Sequence, residues 1–410
     1  MDVPSISLSV HRRDSPEIRD RIVEKLRTAR VAVDSEIYRL LSPPALRRLA
    51  EFISRKAPVV SCYLQLGPER RVGGGWHTVF SSLADSTLRR IDDPRERRRM
   101  KSEFDRIEAA LGNELPVLGR GAAFFVCEPM GLWRQYAVPV PLPDGIHLGR
   151  QPYLRPLVRT RDEHDRFVLA VLSVEHSRFF VSQIGQVEEV FRVRGQRLRH
   201  ILTDRVASDR RDVIVTKAMK NEAKVLAHAA ELVLAEFEGR YLLTSSAPEL
   251  HAAVVQHLPK AVQRLGGEFS VDPHADLRGF AAAAEPAQRA IEEREETATV
   301  ERIREAGPAA AAWGESRTLD ALREDRVMLL AVDDMFAKPG ARCATCGGMW
   351  DYVPTRCPIC GSDVVEAVED VVELALEQAL EQKAGLEIVR SSRARQLMAD
   401  LGRMTALLRW

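Results

Sequence analysis

FVLAVLSV (Phe167–Val174), SRFFVSQI (Ser177–Ile184) and VEEVFRV (Val187–Val193) stand in close succession near the middle of the chain. Each is short and rich in β-branched and aromatic residues, and the gaps between them leave room only for tight turns. They predict an antiparallel meander of three strands. Downstream the period changes: between Lys217 and Phe237 apolar side chains recur at helical spacing (Ala223, Val225, Leu226, Ala229, Leu232, Val233). The strand YLLTSS from Tyr241, the helix PELHAAVVQHL from Pro248 and the strand EFSV from Glu268 follow. A meander that runs on into such a strand-helix-strand unit predicts a ribonuclease-H-like or ribosomal-type α/β domain. The alternating charges of AEPAQRAIEEREETATVERIREA, from Ala284, predict a closing helix with a solvated face.

Toward the N-terminus, the pattern predicts a charged helix at Ile18–Ala29, a helix from Ser42 to Lys56 and the strand VVSCYLQL from Val59. TLRRIDDPRERRRMKSEFDRIEAAL, from Thr87, is helical by spacing and strongly basic, and GAAFFVCE and LWRQYAVPVPL read as strands before the turn Pro143-Asp144-Gly145. Toward the C-terminus, the helix RTLDALRED leads to the strand VMLLAV, a cysteine-rich stretch and the helix EAVEDVVELALEQALEQ. The strand LEIVRS, the helix ARQLMADL and the strand TALLRW close the chain. The expected architecture is therefore multidomain α/β. A mixed α/β first domain spans residues 1–155, the α/β middle domain 156–310, and an α-β-α sandwich 311–410 with a cysteine module inserted at 341–363.

Of the 410 residues, 45% are hydrophobic and 29% charged, which suits a soluble globular protein of several domains and argues against global disorder. No apolar run reaches the roughly 18 residues of a membrane span. The opening MDVPSISLSVHRRDSPEIRDRI lacks the basic-then-apolar layout of a secretory signal, so the cytoplasm is the expected compartment. Thiols stay reduced there, and clustered cysteines hold metal in preference to forming disulfides. Cys62 and Cys127, alone in strand-like surroundings, read as buried structural thiols.

The cluster is ARCATCGGMWDYVPTRCPICGSD, from Ala341, with the spacing C-x2-C-x10-C-x2-C at Cys343, Cys346, Cys357 and Cys360. In each CxxCG a tight turn points two thiolates at one ion, and the glycine permits the backbone conformation beyond the second cysteine. Two such knuckles make a full tetrathiolate site, which is structural. The expected occupant is one Zn2+, with iron as the alternative. A redox CxxC accounts for one pair and leaves the second without a purpose.

Net charge is only +1, so nucleic-acid binding has to come from local patches. Between Arg192 and Lys220 there are seven Arg and two Lys against three Asp, a net of +6. Arg192, Arg194, Arg197, Arg199, Arg205, Arg210, Arg211, Lys217 and Lys220 are the candidate RNA-binding residues, with a solvated helix face as the alternative. A second cluster runs from Arg89 to Lys101, but the interleaved Asp92, Asp93 and Glu96 fit an exposed helix as well. Gly73-Gly74-Gly75 is not a phosphate loop, because no GK[ST] follows.

GESRTLDALREDRVMLLAV resembles the G-x-x-x-T-x-x-A-L segment and following strand in the last domain of eukaryotic and archaeal class-I release factors and Pelota, at Gly314, Thr318, Ala321 and Leu322. LEIVRSS and LGRMTALLRW are similar to the family's closing strands, with matches at Gly402, Ala406, Leu407, Leu408 and Arg409, and with Arg403 in place of a second glycine. QPYLRPL, at Gln151, and the WRQYAVPVP strand look like the divergent first domain of the bacterial release-factor-like branch, which includes the hibernation factor Balon. The resemblance implies a ribosome- and ribosomal-RNA-binding factor that occupies the A site in hibernation or rescue. It also implies delivery by a translational GTPase of the elongation factor Tu type, with no membrane partner. The family's Gly-Gly-Gln loop corresponds here to FRVRGQRLRHILTDRVASDRRDVIVTKAMK, which has no GGQ. The expectation is thus a factor that does not hydrolyse peptidyl-tRNA and has no catalytic residue, Gln196 of Gly195-Gln196 being the weak candidate. The alternative is a release factor or peptidyl-tRNA hydrolase acting through that loop. A nuclease would need clustered carboxylates, and Asp165, Glu175 and Asp272 are scattered in sequence.

Overall fold

Phe167, Leu169 and Val171 turn to one side of their strand, against Phe180, Phe280 and Ile291. Val168 and Ala170 turn to the other, against Phe179, Phe191, Ala223, Leu226 and Val233. A strand covered on both faces reads as an apolar run and not as an alternation, which is what FVLAV shows. The computed structural model describes residues 5–7, 16–33, 41–71, 74–113, 119–163, 165–195, 208–264 and 266–410. They divide into two compact units, Met1–Tyr38 with His164–Glu292 and Arg39–Glu163 with Glu293–Trp410.

In the first unit the strands lie in the order Ser5–Ser7, Gln186–Arg194, His176–Gln183, Phe167–Val171, Tyr241–Ser245, Gly267–Glu268. The three middle strands form the antiparallel meander, and Tyr241–Ser245 and Gly267–Glu268 continue it in parallel. The helix Ser208–Glu236 makes the crossover. Pairing of EFSV is confined to its first residue, Glu268, together with Gly267. The closing helix begins at Leu277, seven residues before Ala284, and runs to Ala310 with non-helical backbone at Gly307. Ser5–Ser7 pairs in parallel with Gln186–Arg194, and Ile22 and Leu26 of the helix Pro16–Val33 enter the core on that side. The first 38 residues thus belong with the middle of the chain and not with the 1–155 segment that the sequence pattern groups them in.

The second unit holds three sheets. Leu132–Val138, Gly121–Cys127, Val59–Gln65 and Gly145–Gly149 form an antiparallel sheet in that order. Gly145–Gly149 escapes sequence reading because a five-residue strand bounded by two glycines resembles a turn. The basic stretch from Thr87 is two helices, Gly75–Arg89 and Pro94–Asn113. Pro94 disfavours helical backbone at Asp93, which instead accepts the Arg95 N–H at 2.9 Å. The helix expected to reach Lys56 stops at Ala50, and beyond it the Ser54 N–H is taken by the Arg150 carbonyl at 2.7 Å. The last sheet runs Ala311–Trp313, Met404–Leu408, Val327–Asp333, Gly385–Val389. A small antiparallel sheet of Met349–Trp350, Gly340–Cys343 and Val365–Val368 carries the cysteine module. Because Val365–Val368 pairs there, the next helix starts only at Val371, where Asp370 caps it by accepting the Val372 N–H at 3.0 Å.

Within this unit the segment at Gln151 is joined to the helix Val371–Glu381 through buried polar groups. Glu373 accepts the N–H groups of Leu154 and, at 3.2 Å, Arg155. The Arg155 guanidinium reaches Asp370 at 3.0 Å and the carbonyls of Asp333 and Phe336. Burial, opposed by the Leu154 N–H and Arg155, raises the Glu373 carboxyl to about 7, and Glu377 one turn on is raised as well. A carboxyl that binds its proton more tightly folded than unfolded stabilises the fold below its ordinary value near 4.5 and loses that contribution as pH rises to about 7. Stability to urea is therefore expected to fall between pH 4.5 and 7, and Glu373→Gln to flatten that slope. An unchanged slope in the variant would remove Glu373 as its source.

Candidate metal centre and basic segment

Two backbone turns build the cysteine site. In the first, Gly347 N–H donates to the Cys343 carbonyl at 2.9 Å and Cys343 N–H to the Gly348 carbonyl at 2.8 Å. In the second, Gly361 N–H donates to Cys357 at 2.9 Å and Cys357 N–H to Ser362 at 2.8 Å, so the two knuckles repeat one geometry. Gly347 and Gly361 have φ of 75° and 71°, the left-handed conformation that glycine takes without strain. The four sulfurs lie within 4.8 Å of one another, with Cys343 to Cys360 and Cys346 to Cys357 each 3.6 Å. Backbone N–H groups point at two of them, Thr345 at Cys343 (3.4 Å) and Cys360 at Cys357 (3.3 Å), as suits thiolates. The N–H of Cys346, with that of Thr345, holds the Cys343 thiol down at about 6. Four thiolates this close need a cation, and the donor set fits a tetrahedral metal ion. Cys343 and Cys357 pack with Trp350 in a small core, and Cys346 and Cys360 face solvent. Cys62 and Cys127 are buried, free and remote in sequence from this quartet.

The basic candidates divide. Arg192 is paired with Glu189 at 2.5 Å, and Arg178 holds the same carboxylate at 2.8 Å. Against its partial burial, hydrogen bonds from Arg192 and Arg178 keep Glu189 down at about 2, so this pair persists across the physiological range. Arg194, Lys217 and Lys220 are exposed. Arg210 and Arg211 fall in the helix Ser208–Glu236, and Gln196, Arg197, Arg199 and Arg205 lie outside the described residues. Gly195 ends the strand: its N–H donates to the Glu175 carbonyl at 2.9 Å, and a Cβ there would stand 1.9 Å from the Val174 carbonyl oxygen. Close backbone approach accounts for glycine at this position. Asp165, Glu175 and Asp272 do not appear in a metal-competent group among the described residues, where the four cysteines are the group found.

Residues 152–295 match the family model described as bacterial archaeo-eukaryotic release factor family 10. The match covers 144 of the 410 residues, so it is this middle segment that is similar to the family. Among solved structures it is similar to the archaeal translation termination factor aRF1 (14% identity, 92% of this chain and 97% of that one, TM-score 0.24). It is also similar to Archaeoglobus fulgidus Pelota (14%, 90% and 92%, TM-score 0.32). The C-terminal domain of the peptide chain release factor from Methanosarcina mazei matches at 23% identity over 33% of this chain and 97% of that one, with a TM-score of 0.25. No curated protein sequence matches the chain.

The residues that carry the superfamily resemblance at the C-terminus meet in space. Gly402, at φ 87°, lies so close to Gly314 that a Cβ on it would stand 2.6 Å from the Gly314 Cα. Buried Thr318 donates its hydroxyl to the Gly314 carbonyl at 2.8 Å. Arg403, which replaces the superfamily's second glycine, binds Asp333 at 2.8 and 3.0 Å, and its guanidinium covers the Phe336 ring at 5.0 Å. The turn therefore keeps its contact with the neighbouring strand, Asp333 N–H to Arg403 carbonyl at 2.9 Å. Sequence reasoning missed the Arg155, Asp370 and Glu373 cluster. Its only local signal is a pair of acids, Glu373 and Glu377, at helical spacing on the apolar side of VVELALEQALE. No helix among the described residues is long and apolar enough to cross a membrane.

Proposed function

We propose that the chain is a translation factor that binds the ribosome, occupies the A site in hibernation or rescue, and does not hydrolyse peptidyl-tRNA. The observation that carries this reading is a release-factor-type middle segment, matched over residues 152–295, whose stretch Arg192–Lys220 has a formal charge of +6 and no GGQ. Cationic side chains of that stretch other than Arg192, which Glu189 holds, would neutralise ribosomal RNA phosphates. Ester hydrolysis would need a glutamine held to within about 1 Å at the transferring carbonyl, and the glycine before Gln196 is accounted for by its packing on Val174. Zinc at Cys343, Cys346, Cys357 and Cys360 is the structural cofactor in this reading. The cytoplasm is its compartment and an elongation-factor-Tu-type GTPase its delivering partner.

Purified protein is expected to co-sediment with 70S ribosomes and to release little peptide from a loaded P site. Replacing Arg197, Arg199, Arg210 and Arg211 by alanine is expected to flatten the salt dependence of binding by roughly 0.7 to 0.9 units of slope for each phosphate no longer neutralised. Equal slopes would return the segment to a solvated face. Rapid release abolished by Gln196→Ala would replace this reading with that of a peptidyl-tRNA hydrolase.

A further inference from the structure

Seven cations lie between Arg89 and Lys101, and the structure sorts them into two sets. Three have local structural work. Arg90 pairs with Glu369, Arg97 donates to the Ile91 carbonyl from Nε at 2.9 Å, and Arg99 reaches Glu103 at 2.8 Å and Glu96 at 3.8 Å. The other four, Arg89, Arg95, Arg98 and Lys101, are exposed, and no ion pair or side-chain hydrogen bond reaches them among the described residues. Of the acids in the same stretch, Asp93 caps the helix Pro94–Asn113 and Glu96 faces Arg99, leaving exposed Asp92.

The unpaired set has an order that the paired set lacks. Arg95, Arg98 and Lys101 follow at intervals of three on one helix, so they are surface neighbours rising roughly 4.5 Å at each step. Arg89 ends the preceding helix, just before the short connection to the new one. Helix stability does not explain the placement. Arg95 stands in the first turn, where outward N–H groups repel a cation, and none of the three pairs with an acid one turn away. We infer that Arg89, Arg95, Arg98 and Lys101 form a second RNA-binding surface, which takes the phosphodiester backbone irrespective of base sequence.

A protein partner is the less suitable occupant. Stable protein interfaces centre on buried aromatic or aliphatic anchors. Between Phe80 and Leu142 no large hydrophobic side chain is exposed among the described residues: Phe80, Phe104, Phe124, Phe125 and Tyr136 are buried, and Trp133 is half-buried with the Arg106 guanidinium 4.7 Å over its ring. A face offering charge without apolar anchors matches a phosphate backbone, whose recognition is electrostatic and sequence-independent. The inference stands on these side chains and goes beyond the ribosome reading; it would survive a failure of A-site binding.

The test uses the full chain and a fluorescein-labelled mixed-sequence RNA 20-mer, titrated at several salt concentrations. The variant is Arg95→Ala, Arg98→Ala, Lys101→Ala. Its control, Arg302→Ala, Arg304→Ala, Arg393→Ala, removes the same charge from exposed positions elsewhere. Each single-strand phosphate neutralised contributes about 0.7 to the slope of log K against log salt. The stripe variant is expected to lose roughly two units of slope, the control to match the parent, and the lysine variant Arg95→Lys, Arg98→Lys to retain binding. Thermal unfolding confirms that all variants are folded. Slopes equal in parent and stripe variant, or an equal loss in the control, overturns the inference. So does a stripe-dependent affinity for polyglutamate of the same length that matches or exceeds that for RNA, which would assign the surface to an acidic protein.

Discussion

Cys357→Ser is expected to release the metal and to unfold the cysteine module while the unit of Phe167–Val171 stays folded. Cys357 is buried and supplies one of four sulfurs within 4.8 Å, and its neighbours Cys343 and Trp350 are nearly all the core the module has. A module with so little apolar burial takes its folding energy from the ion, on the order of 10–16 kcal/mol of apparent binding energy at neutral pH for structural zinc. Plasma mass spectrometry of protein purified in reductant should find about one zinc per chain in the parent and close to none in the variant. Hydrogen exchange should accelerate across Gly340–Cys343, Met349–Trp350 and Val365–Val368, and not in Phe167–Val171 or Tyr241–Ser245. A parent without bound metal would refute the assignment, and iron in place of zinc would revise only the element.

Arg155→Ala is expected to destabilise the second unit by about 3–5 kcal/mol, the usual loss when one partner of a buried ion pair is removed and the other remains. Asp370 would lose its cation at 3.0 Å, and the carbonyls of Asp333 and Phe336 would lose donors. The residue is 8% exposed, so water does not readily substitute. Urea denaturation at pH 7 measures the loss. A change under about 1 kcal/mol, the scale of one ordinary hydrogen bond, would mean that the cluster relaxes around the gap.

The legible parts of this fold are those whose cause is local. Apolar runs such as FVLAV and the spacing of Ala223, Leu226 and Val233 need only neighbouring residues to be interpreted, and both form the elements they predict. The cysteine quartet is legible for the same reason, since ligand type and spacing are the chemistry itself. What is not legible depends on partners far along the chain. Arg155 and Glu373 are 218 residues apart, and nothing near either announces the other. Arg192 looks like a free cation in the sequence, but strand pairing brings Arg178 to the same carboxylate, Glu189. Likewise the helix expected from Glu366 starts late because Val365–Val368 is claimed by the distant strand Gly340–Cys343. In each case a tertiary partner overrides a local tendency, as it commonly does for short elements.

The parallel pairing of Ser5–Ser7 with Gln186–Arg194 also sets an order of events during synthesis. At elongation rates of about 5–20 residues per second, the first strand leaves the ribosome roughly 10 to 40 s before its partner exists. Each unit is made of two separated stretches of chain, and the second stretch of the first unit begins only at His164. Neither unit can therefore close while only its first stretch has emerged. A nascent chain arrested before Gln186 would keep Ser5–Ser7 without its ladder, and Ile22 and Leu26 without Val190, Phe191 and Val193 of their core. Trimming the N-terminus has the complementary effect: it bares the edge of Gln186–Arg194, an open row of backbone donors and acceptors on which other copies can pair. An affinity tag is accordingly better placed at Trp410, whose side chain is already exposed, than against Ser5–Ser7.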